Sequence, residues 1–97
     1  MDDPHAQELL HALSELIVPV RLGDGLNAAA VDRAFAAVKL AGRAWRARGS
    51  LPLPDAKLLV AFYPDLEAAS YLYGDSHAER IREVARLLNE ECLHALS

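Results

Sequence analysis

Apolar residues recur at helical spacing through almost the whole chain, and only Pro/Gly punctuation separates the stripes: Pro19 to Gly25, Gly49 to Pro54, Pro64, and Gly74 to Asp75. A chain punctuated this way has no length left for an inserted active-site loop or cofactor cradle. Ala and Leu, both strong helix formers, dominate its composition, whereas Val and Ile are sparse and seldom alternate with polar residues as a sheet requires. The expected fold is all-α, one domain over residues 1–97, a compact bundle of four or five helices. Orthogonal and up-down packings both satisfy the short connections.

Four stretches carry the helical pattern. In the first, Asp3 is placed to cap, Pro4 takes the tolerated first position, and Leu9, Leu10, Leu13, Leu16 and Ile17 form the inner stripe. Pro19 is expected to end it, leaving Val20 to Leu26 as a loop with an extended stretch at Val18, Val20 and Leu22. The second runs from the Asn27 cap to Arg48 and stops at Gly49, with Val31, Ala34, Phe35, Val38, Ala41, Gly42 and Trp45 inward. The third covers about Asp55 to Tyr63 with Leu58, Leu59 and Phe62 inward, and Pro64 breaks or kinks it. Beyond it, Leu66, Ala69, Leu72 and Tyr73 form an inner set. Ser76-His77-Ala78-Glu79 reads as a capping box opening the last helix, whose inner stripe is Ile81, Val84, Ala85, Leu88, Cys92 and Leu96.

Charge and cysteine content narrow the functional classes. Net charge is −4, and the charges read as interleaved along the chain, giving no pull toward nucleic acid or anionic lipid. The acidic opening Met1-Asp2-Asp3-Pro4 is the reverse of a secretory signal, and no apolar run approaches the ~20 residues that span a bilayer. The lone Cys92 has no intrachain disulfide partner. A cytoplasmic location is the expectation.

Several constellations resemble chemistry and are better explained by structure. Glu8-Leu-Leu-His11 and Glu91-Cys-Leu-His94 are both Glu-x-x-His, the pair that di-metal carboxylate bundles use. Here Glu8, His11 and His94 lie opposite the apolar stripes, so solvated helix faces are preferred, with a metal- or ligand-binding bundle as the alternative. Asp75-Ser76-His77 cannot align a nucleophile, base and acid as consecutive residues. Gly23-Asp24-Gly25 reads as a turn, since Asp24 would repel a phosphate. Cys92 sits on a core stripe beside Glu90 and Glu91, the opposite of a thiolate-stabilising setting. Leu51 and Leu53, within Leu-Pro-Leu-Pro, are expected to pin the connector against the bundle. No cofactor is implied, and an enzyme is disfavoured.

What remains is surface. Ala29, Ala36, Leu40, Ala44 and Ala47 give the second helix a second apolar side. That side is either buried within the bundle or offered to a second copy. Tyr71 and Tyr73 add a candidate partner-facing pair, and Arg43, Arg46 and Arg48 a basic patch at the helix end, where the macrodipole also favours cations. The expectation is a non-enzymatic interaction module, an adaptor, chaperone-like protein or regulatory subunit. It would bind protein, itself through the second helix or another helical chain, as a homo-oligomer without nucleic acid or membrane.

Overall fold

The computed structural model describes residues 4–96, and side chains from Gln7 onward. It holds four helices: α1 Pro4–Arg21, α2 Ala28–Arg48, α3 Leu53–Ser70 and α4 Asp75–Leu96. The Asp3 cap lies outside the described residues. At α2 the expected signals are both used: Asn27 Oδ1 accepts from Ala30 N at 3.1 Å, and Gly49 takes the left-handed conformation (φ 72°) while its N–H returns to the Trp45 carbonyl.

Both internal prolines lie inside helices, against expectation for Pro19 and, for Pro64, deciding between a split and a continuous helix. Pro19 lies inside the last turn of α1, where it forfeits a single backbone bond. The chain then closes with Leu22 N to Val18 O, Gly23 N to Val20 O and Asp24 N to Pro19 O. There is no extended stretch at Val18, Val20 and Leu22: Val20 is wholly buried, and Val18 and Leu22 face outward. Pro64 likewise leaves α3 unbroken. The carbonyl it orphans belongs to Val60, on the exposed side where water can reach it, while Phe62 and Leu66 are fully buried on either side of the proline. Burial of those two large side chains, about 1.5–3 kcal/mol each, holds both halves of the helix to the core. The bundle therefore has four helices, not five.

Three smaller readings also change. Helix α4 begins at Asp75, and its first backbone bond runs from Ala78 N to the Gly74 carbonyl at 2.8 Å. Ser76 thus sits within the first turn and does not cap it. Leu96 is exposed and Ala95 takes the buried position; the helix has rotated the small residue inward against Gly42. Leu72 is exposed too, because α3 ends at Ser70 before that turn could face the core.

Around the bundle the helices follow the order α1, α2, α4, α3; the diagonal pairs α1–α4 and α2–α3 make no backbone contact. Directions follow from side-chain neighbours. Asp32 of α2 shares a cleft with His77 and Ile81 of α4 at one end, and Gly42 meets Ala95 at the other, so α2 and α4 run parallel. The end of α1 meets the turn that follows α3, where the Tyr73 hydroxyl donates to the Val20 carbonyl, so these two are parallel as well. The fold is two antiparallel hairpins, α1–α2 and α3–α4, laid side by side. Extents of 42 × 25 × 21 Å fit helices aligned with one long axis, the longest of which spans about 33 Å. Leu9, Leu13, Leu16, Val38, Trp45, Phe62, Leu66, Ile81 and Leu88 fill the centre.

Candidate functional site

Helix α2 occupies a corner of this arrangement, its backbone apart from the diagonal α3 and joined to it through the Trp45–Asp55 hydrogen bond, and its second apolar side is not buried within the chain. Ala29, Ala36 and Ala47 are exposed, Ala44 is half-buried, and Leu40, at 41% exposure, is the only large apolar residue among them. Asp32, Lys39 and Arg43 are exposed on the same outer side. Arg43, Arg46 and Arg48 are all exposed at the end of α2, where Arg46 Nε donates to the Gly42 carbonyl at 3.3 Å.

The two tyrosines separate. Tyr71 is 74% exposed, with the Arg82 guanidinium 5.5 Å from its ring centroid. Tyr73 is half-buried and acts as a brace. Its hydroxyl accepts from Gly25 N at 2.9 Å and donates to the Val20 carbonyl at 2.7 Å, tying the α1–α2 turn to the α3–α4 turn. Tyr73→Phe is expected to cost about 1–2 kcal/mol, because it leaves a part-buried donor and acceptor without their partner. Urea unfolding should show a lowered midpoint with an unchanged slope.

The Glu-x-x-His residues are not brought together. Glu8 accepts from Arg33 Nε and Nη2 at 2.9 and 3.1 Å, and Glu15 accepts from Arg33 Nη1. The Arg33 guanidinium holds the Glu8 carboxyl below its usual range, and the Glu8 and Glu15 carboxylates raise that of Arg33. The Glu8 contribution is present above the ordinary carboxylate range and fades as pH falls through the lowered value. His11 is exposed, and Glu91 and His94 lie on α4, diagonally opposite α1. Among the described residues no group of three His, Cys, Asp or Glu side chains could hold a metal ion.

Other candidate residues are occupied structurally. Gly23 and Gly25 both adopt positive φ (86° and 85°), and the Gly25 N–H is taken by Tyr73. Ser76 and His77 are exposed on the first turn of α4. Cys92 is buried; desolvation, aided by the Glu91 charge, pushes its thiol up to about 12. With so little thiolate, native protein should react with iodoacetamide about a hundredfold more slowly than urea-unfolded protein. Equal rates measured by mass spectrometry would contradict the burial.

Several more strongly exposed apolar side chains lie elsewhere, on α3 and α4. Leu53, Val60 and Tyr71 share one side of α3 at i, i+7 and i+18, and Leu53 and Val60 are 69% and 76% exposed. Leu51 does pack against the core, but Leu53 turns outward on the first turn of α3. On α4, Leu93 is 61% exposed and Leu96 is also open. Arg82 Nε donates to Ser70 Oγ at 3.2 Å. Followed antiparallel from that contact, Leu93 stands level with Leu59 and Val60, and Leu96 with Ala56. The signal was present in the sequence: α3 carries apolar side chains at nearly every rotation, more than one buried face accommodates.

Among the described residues no helix is long and apolar enough to cross a membrane. No family model, curated protein or solved structure matches the chain.

Proposed function

We propose that the chain is a non-enzymatic protein–protein interaction module that pairs with a second copy of itself through the α3–α4 face. The carrying observation is that Leu53, Val60 and Leu93 are all strongly exposed on two adjoining helices. Exposed apolar surface of this kind marks contact sites on soluble proteins. The rim carries both signs, Lys57 and Arg86 with Glu67 and Glu90, so two copies meet without single-sign repulsion. The α2 side supports the same role less well, since Leu40 stands alone there among charged neighbours. A cytoplasmic setting belongs to the same proposal.

Sedimentation equilibrium from low micromolar to submillimolar protein tests it. Wild type is expected to dimerise and Val60→Glu/Leu93→Glu to stay monomeric. Both positions are open enough that the double variant keeps its fold, as circular dichroism would report. A wild-type monomer over the whole range overturns the proposal. So does dissociation by Leu40→Glu with the α3–α4 variant still dimeric.

A further inference from the structure

The charges, interleaved to the eye along the sequence, are segregated in the fold. Five of the ten Lys and Arg residues, Lys39, Arg43, Arg46, Arg48 and Lys57, lie between residues 39 and 57. The only acid in that stretch is Asp55, which is buried. The stretch is therefore net +4, and the rest of a chain of net −4 carries −8. It wraps one end of the bundle: the second half of α2 at one corner, the linker, and the start of the diagonal α3. A helix end favours cations in its last turn, which accounts for Arg46 and Arg48. Lys39 and Arg43 precede that turn, and Lys57 sits near the start of α3, where the macrodipole opposes it. Glu90, on the neighbouring end of α4, is already taken by Arg86 at 2.7 Å.

The same corner holds an apolar cleft of about 380 Å³ lined by Trp45, Leu51, Ala95 and Leu96, with Arg46 at its edge. It lies at the low end of the range of ligand pockets and has room to admit an apolar side chain. We infer that this corner docks an acidic segment of a partner protein, with an apolar side chain entering the cleft and flanking carboxylates meeting Arg43 and Arg46. Charge complementarity selects the partner, and the cleft sets its register. A nucleic acid fits less well: Trp45 is buried and offers no stacking face, and the strongly acidic remainder repels a polyanion.

Trp45 is the only tryptophan and lines the cleft, so its emission reports occupancy. The probe is a short synthetic peptide with one leucine flanked on both sides by glutamates, titrated to millimolar concentration at low salt. Controls replace the leucine by serine or the glutamates by lysine, and oligothymidine serves as the polyanion. The expected result is a saturable shift with the first peptide, weakened about tenfold by Arg43→Gln/Arg46→Gln and by the serine replacement, with no shift from the lysine peptide. Lack of a saturable shift overturns the inference, as does equal binding by the arginine variant or the serine or lysine peptide. Tighter binding of oligothymidine also overturns it. Both arginines are exposed and lie outside the α3–α4 face, so the variant's sedimentation separates this outcome from loss of self-association.

Discussion

Trp45→Phe is expected to lower the unfolding free energy by about 3 kcal/mol, a fall in Tm of about 15 °C for a domain of this size. The indole Nε1 donates to Asp55 Oδ2 at 2.7 Å, and both residues are almost wholly buried. Among the described residues the other carboxyl oxygen, Oδ1, has no partner. Removing the indole donor leaves the whole carboxyl without a hydrogen bond in a region water does not reach. A lost bond and an unmet polar group add here, and the smaller ring also surrenders packing. The asymmetry supplies the control. Trp45→Phe/Asp55→Leu removes both polar partners, and it should recover at least half of the loss, because pairing and desolvation vanish together. Chemical denaturation of the two variants decides it. A cost below 1 kcal/mol for the single substitution would mean the indole bond does not hold α2 to the start of α3.

Gly42→Leu is expected to cost a similar amount, about 3 kcal/mol, through overpacking. A Cβ built on Gly42 would stand 2.7 Å from Ala95 Cβ and 3.4 Å from Ala95 Cα. The obstacle is therefore a neighbouring backbone and its methyl, not a flexible side-chain end that could swing aside. Gly42→Ala should cost only about 1 kcal/mol, since alanine regains about 1 kcal/mol of helix propensity against the clash. The decisive arm is Gly42→Ala/Ala95→Gly, which moves the methyl from α4 to α2. The pair should be more stable than the two single effects predict. Simple additivity in urea melts would show that the helices separate to accommodate the methyl, and that close approach is not required there.

Local signals were most legible where the chain decides its own conformation. The Asn27 cap and the left-handed Gly49 need nothing beyond their neighbours, and both ends of α2 follow from them. Pro19 was misleading, and Pro64 ambiguous, for the opposite reason. A proline opposes a helix by one bond and one clash, but Val20 beyond Pro19, and Phe62 and Leu66 around Pro64, are buried deeply enough to outweigh it. Tertiary burial is invisible to a pattern read one segment at a time. Ser76 failed as a cap because Gly74, one turn's start earlier, already supplies the first carbonyl.

The surface was harder to read than the core. Periodicity does find that α2 has two apolar sides, but it counts alanine equally with leucine, and only Leu40 among those residues presents a large side chain. Leu53 and Leu96 lay at segment ends, where a shift of one position exchanges inside for outside. Tyr73 could not be distinguished from Tyr71 without knowing that the two inter-helix turns meet. The basic residues are spread over nineteen residues, 39–57, and look ordinary beside the acids before and after them unless the stretch is counted by itself.

The order in which the helices surround the core has a kinetic consequence. Each hairpin joins helices adjacent in sequence, so it can zip up through nearby contacts within microseconds to milliseconds. During synthesis the first hairpin leaves the ribosome with Leu13, Leu16, Ala34 and Val38 along an uncovered seam, and the second supplies the missing wall only after the four-residue turn at 49–52. Slow translation through α3 would therefore prolong a greasy half-domain, and chaperone demand should track the codons of that helix.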